Sequence, residues 1–91
     1  MHWIIAYDIS LNRRRSRAAK RLERAGLRVQ KSVFVAELPR GELQQLMDEL
    51  ARIIDPETDS VAAWALQQNW RDEQVESGVP KQPVFQGSVV W

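Results

Sequence analysis

The chain opens on an almost unbroken apolar run, Trp3-Ile4-Ile5-Ala6-Tyr7, closed by Asp8. Its length and its β-branched and aromatic content predict a strand buried on both faces, hence a central one. Asn12 then reads as an N-cap for a helix over Arg13–Ala25, with Gly26 at the position of a C′ glycine. Across that helix Ala18, Leu22 and Ala25 share one arc. Arg13, Arg17, Lys20, Arg21, Arg24 and Arg28 fall on the opposite one. Leu27–Leu38 is Val- and Phe-rich and lacks Gly and Pro, so it reads as extended chain. Whether it forms one strand or two joined at Lys31-Ser32 stays open, because no recognisable hairpin turn is present.

Pro39-Arg40-Gly41 interrupts the run. Leu43, Leu46, Met47, Leu50, Ile53 and Ile54 follow at helical spacing until Asp55-Pro56 ends the pattern. Ser60–Leu66 reads as a further strand. The order β-α-β(β)-α-β predicts an α+β sandwich of ferredoxin-like type, with an antiparallel sheet carrying two helices on one face. By this reading residues 1–66 form the core and residues 67–83 a polar, Pro-containing connector. Residues 84–91 (VFQGSVVW) are an added C-terminal strand that can pair with its own sheet or be exchanged with a dimer partner.

Composition narrows the chemistry. The chain has 91 residues, enough for one domain, and no cysteine, which excludes disulfides, thiolate metal sites and a cysteine nucleophile. The one histidine, His2, excludes a His-rich metal site. No apolar run reaches the roughly 20 residues of a membrane span and no leader pattern is seen, so a cytoplasmic protein is expected. The net charge of +1 conceals a split: residues 1–40 carry ten Lys/Arg against three acids, residues 41–91 three against nine. That split fits a basic surface meeting a polyanion, or opposite charges facing each other within the fold or a dimer.

Asp8 is the sharpest candidate for chemistry. A carboxylate leaving a buried strand can ligate a hard cation such as Mg²⁺, which prefers oxygen and keeps several waters. It can equally cap the turn before Asn12, and position alone leaves both readings open. The arginines read as phosphate contacts or as a solvated face; like charges at i,i+4 oppose the second reading, since only Glu23 interrupts the series. The nucleic-acid-binding set is therefore Arg13, Arg14, Arg17, Lys20, Arg21, Arg24, Arg28 and Lys31. Arg15 falls on the sheet-facing arc in the first turn, where it can project beside Asp8 as a phosphate clamp or an ion-pair partner. Tyr7 and Phe34 are either core aromatics or platforms for a base.

The segment YDIS (Tyr7–Ser10), the run from Asn12 to Leu38 and the DSV of Asp59–Val61 carry a resemblance over residues 3–66. In that order they resemble the second CRISPR-associated adaptation protein, a family of small ferredoxin-fold proteins described as endoribonucleases. The resemblance implies a homodimer that joins dimers of the CRISPR-associated integrase and holds duplex DNA for spacer acquisition. It also implies Mg²⁺- or Mn²⁺-dependent endonuclease activity on single-stranded RNA or double-stranded DNA. Asp8 matches the family's metal-binding carboxylate, with one ion shared across the dimer twofold. Tyr7, Arg15, Arg17, Arg28 and Phe34 lie where the family places supporting catalytic residues. A toxin-like or regulatory RNA-binding module of the same fold, without a CRISPR role, is the alternative. Whether the chain is an enzyme stays open at this point.

Overall fold

The computed structural model describes residues 1–66. Six elements follow in order: β1 (His2–Asp8), α1 (Asn12–Glu23), β2 (Leu27–Gln30), β3 (Val33–Glu37), α2 (Arg40–Ile53) and β4 (Ser60–Ala65). The four strands form one sheet in the order β2-β3-β1-β4, with antiparallel pairing throughout. This is the expected ferredoxin-like arrangement, with the first strand in the interior. The connector and the Val84–Trp91 strand expected from the sequence lie outside the described residues.

Alternation along β1 divides the residues between the two sheet faces. Trp3, Ile5 and Tyr7 join Phe34, Ala36, Val61 and Ala63 beneath the helices, where Leu22, Leu43, Leu46 and Leu50 complete the main core. Ile4 points the other way and forms a second apolar cluster with Val35 and Leu66, packed by Trp64. No described helix lies on that second face. Burying one Leu- or Ile-sized side chain stabilises by about 1.5–3 kcal/mol, so both faces contribute to the fold.

One open point is settled and two local expectations are corrected. Leu27–Leu38 is a hairpin: β2 and β3 are joined at Lys31-Ser32, and the pairing slips between Arg28 and Gln30. The extra residue, Val29, makes a bulge on the edge strand. Helix α1 ends at Glu23, two residues before the expected Ala25, and Asn12 is its first residue, preceded by Leu11 with no side-chain cap. Gly26 is demanded by space. A Cβ there would stand 2.2 Å from the Val35 carbonyl oxygen and 2.9 Å from Cα of Ala36. Only a bare Cα lets the α1–β2 link pass this close to β3.

The second helix starts at Arg40, so two of the three residues that interrupt the sequence pattern form its first turn. Proline at its N-terminal flank is compatible with that, because the first helical N–H groups need no carbonyl partner.

Candidate nucleic-acid interface and metal-binding carboxylate

Helix α1 carries the cationic surface. Arg13, Arg17, Lys20 and Arg24 recur at i, i+4, i+7 and i+11, which places them on one line along the helix. All four are exposed, and none makes an ion pair or side-chain hydrogen bond with the described residues. The opposite side of the helix is pinned to the sheet by Ala18, Ala19 and Leu22. Four exposed cations held in a row on a rigid element suit a polyanion with regularly spaced charges.

Other members of the expected set are spoken for. Arg14 Nε donates to Asp59 Oδ2 at 2.8 Å, and the Asp59 side chain is wholly out of water. Asp59 also accepts from the Ser10 backbone N–H and hydroxyl, each at 3.1 Å, from the Asp55 N–H at 2.9 Å and from the Thr58 hydroxyl at 3.0 Å. The Arg14 hydrogen bond, opposed by burial and reinforced by the Asp55, Ser10 and Thr58 donors, holds this carboxyl well below the usual carboxylate range. Arg14 thus ties α1 to the α2–β4 loop.

Arg21 is likewise paired. Its guanidinium pairs with Glu49 and so joins α1 to α2, and this hydrogen bond lowers the Glu49 pKa. Arg28 stands on β2 rather than on the helical arc, because the helix ends before it. Its guanidinium lies 5.1 Å from the Phe34 ring centroid and donates to Glu23 at 3.2 Å. Phe34 is fully buried and stacks on Tyr7, with ring centroids 6.3 Å apart. Tyr7 is itself buried and donates its hydroxyl to the Lys31 carbonyl at 3.4 Å. Neither ring offers a face to a base; they are core, and Phe34 floors Arg28. Lys31 is exposed in the hairpin turn.

Asp8 sits at the end of β1, exposed and paired through the backbone with Ser60. Alternation puts it on the face of Ile4 and Ala6, away from the helices. Its carboxylate makes no ion pair with the described residues. Arg15 does not join it. Arg15 lines a pocket with Tyr7, Arg28 and Lys31 on the helix side, and its nearest side-chain partner is Asn12 Oδ1 at 3.5 Å.

Among the described residues, no group of three or more His, Asp or Glu side chains is placed to hold a metal ion. Asp8 offers the hard oxygen that Mg²⁺ prefers, but one carboxylate per protomer is an incomplete site. The residue that sequence reasoning missed is Asp59. Its one sequence signal is an acid immediately before an apolar strand, the mirror image of Asp8 immediately after one.

Among the described residues no helix is long and apolar enough to cross a membrane. The model of a family described as CRISPR associated protein Cas2 matches residues 1–74. The chain is 43% identical over 68 residues to the CRISPR-associated endoribonuclease Cas2 3 of Chloroflexus aurantiacus, covering 75% of this chain and 73% of that protein. Its fold is similar to the crystal structure of Streptococcus pyogenes Cas2 at pH 6.5. That similarity has a TM-score of 0.77 at 30% identity and covers 86% of this chain and 100% of the other. A hypothetical protein, TT1823 from Thermus thermophilus, is similar with a TM-score of 0.73 at 32% identity, covering 91% and 96% of the two chains.

Proposed function

The chain belongs to the CRISPR-associated Cas2 family, and from that premise we propose that it serves spacer acquisition in the cytoplasm as a DNA-holding scaffold. In this reading two copies form a homodimer that binds duplex DNA and bridges dimers of the CRISPR-associated integrase. The observation that carries it is the row Arg13, Arg17, Lys20 and Arg24, exposed and in no direct ion pair among the described residues. Family membership disfavours the toxin-like or regulatory module considered above.

The sheet face that carries no described helix supports the dimer. Ile4, Val35 and Trp64 make its centre apolar, and Asp8 lies at its end. Pairing two such faces about a twofold would bury apolar surface and bring the two Asp8 side chains toward each other. Two close carboxylates repel unless a cation or proton lies between them. One Mg²⁺ or Mn²⁺ held by both Asp8 groups would relieve that repulsion.

A second activity, divalent-metal-dependent cleavage of single-stranded RNA or double-stranded DNA, is favoured by Asp8 and by the endoribonuclease name that relatives carry. When bound, the metal supplies an activated water for attack on a phosphodiester. Asp8 holds the ion, while Arg17 neutralises charge on the substrate backbone. A site with so few acids suits slow hydrolysis, so scaffolding is the main task.

Duplex binding measured at several salt concentrations, with pull-down of the integrase, tests the main reading. The expected outcome is a stable complex and an affinity that falls steeply with salt. No complex and a flat salt response would overturn it.

A further inference from the structure

The ladder between β1 and β4 sets a second oxygen beside Asp8. In its register Asp8 pairs with Ser60, Ala6 with Ala62 and Ile4 with Trp64. Directly paired residues point to the same face, with Cβ atoms about 4.5–5.5 Å apart. Val61 and Ala63, which alternate with these residues along β4, are buried in the main core under the helices. Ser60, Ala62 and Trp64 therefore belong to the other face, the one that carries Asp8 and Ile4. Asp8 and Ser60 are both exposed, and the Ser60 hydroxyl has no hydrogen-bond partner among the described residues.

The rows behind this pair grow in size. Ala6 and Ala62 come next, and the bulky Ile4 and Trp64 only in the row beyond. Single methyl groups thus flank Asp8 and Ser60 on this face, which leaves room for water over the end of the sheet. Asp59, the acid next to Ser60, does not supply a second carboxylate here. Its side chain is out of water and accepts from Arg14, Ser10, Asp55 and Thr58. A hydrated divalent cation suits what remains. Mg²⁺ demands octahedral oxygen coordination and keeps several waters. Two Asp8 carboxylates, one from each protomer, match its charge, so neutral donors must fill the rest of the shell. A serine hydroxyl both donates and accepts, and can hold an ion-bound water against the neighbouring carboxylate.

We propose that Ser60 is a positioning residue of the Asp8 site, its hydroxyl hydrogen-bonded to a water in the shell of a divalent cation held by Asp8. The inference rests on the metal reading above and deepens it, because it names the group that supports the single carboxylate each protomer supplies. Ser60 acts through that water. It therefore tunes affinity for the ion and leaves the contacts of the cationic row with nucleic acid unchanged.

The test uses the full chain and Mn²⁺ alone, titrated by calorimetry, with the oligomeric state followed by sedimentation. Ser60→Ala should raise the Mn²⁺ dissociation constant about tenfold, as loss of a group that orients a metal's ligands does. Ser60→Thr keeps the hydroxyl and should return the constant close to wild type. In both variants the metal-free melting temperature, the oligomeric state and the salt slope of duplex binding should match wild type. If Asp8→Ala loses Mn²⁺ binding while Ser60→Ala keeps the wild-type affinity, the inference is wrong and the Asp8 reading stands. If Ser60→Ala and Ser60→Thr weaken binding alike, the side chain matters through packing and not through its hydroxyl, which overturns the inference. If the wild type binds no Mn²⁺, or Asp8→Ala binds it as tightly, the metal reading itself falls and the inference with it.

Discussion

The guanidinium of Arg14 and the buried carboxylate of Asp59, 2.8 Å apart, fasten the loop after Asp8 to the loop before β4. Ser10 lies in the first loop and donates twice to the same carboxylate. Asp55 and Thr58 donate from the second. The network thus joins the two chain segments that run out from the Asp8–Ser60 pair at the end of the ladder.

Removing Asp59 leaves Arg14 and several N–H and O–H donors without their acceptor. Asp59→Ala should lower the melting temperature by more than about 5 °C, read by circular dichroism. Asp59→Asn should lower it less, because the amide oxygen still accepts. A variant as stable as the wild type would show that the network is ornamental.

The same carboxylate makes the fold acid-sensitive. Its pKa in the folded chain lies below its unfolded value, so its stabilisation is fully present above the ordinary carboxylate range. It is lost as pH falls through and below that range, as the proton binds first to the unfolded chain. Urea midpoints of the wild type should fall as pH drops from about 5 toward 3, and those of Asp59→Asn should fall less steeply.

Gly26→Ala should destabilise by about 1–3 kcal/mol, because the new methyl meets the Val35 carbonyl and Ala36. Thermal unfolding checks this, and an unchanged midpoint would show that the α1–β2 link shifts freely.

Single changes to Gln at Arg13, Arg17, Lys20 or Arg24 should each lower the salt slope of duplex binding by about one, without altering the melting temperature. Arg14→Gln should do the reverse, lowering stability while barely changing the slope. Fluorescence anisotropy at several salt concentrations separates the two classes.

Asp8→Ala should change stability by less than about 0.5 kcal/mol, since the side chain is exposed and makes no ion pair with the described residues. Any Mg²⁺-dependent cleavage should vanish with it. Cleavage that survives in this variant points to a contaminating nuclease.

Much of this was legible along the chain. Periodicity located the strands and both helices because burying a strand or a helix face imposes a local spacing that no partner needs to be known to read. The apolar run ending at Asp8 announced a central strand with a carboxylate at its exit, and the arginines of α1 announced a cationic face. Which of those arginines stay available was not legible. Arg14 is paired with a residue 45 positions away and Arg21 with one 28 positions away, and ion pairing across such separations depends on how elements pack.

Two further features needed the tertiary structure for the same reason. The end of α1 and the need for Gly26 are set by how closely the link passes β3, so Arg28 moves from a helical arc to an edge strand. The pleat then sends Tyr7 and Asp8, neighbours in sequence, to opposite faces of the sheet. The sequence by itself determined the elements and the pool of charged groups, since both follow from local composition. The tertiary structure decided which cations are neutralised and which side of the sheet each group serves, because charge cancellation and facing depend on distances between residues far apart in the chain.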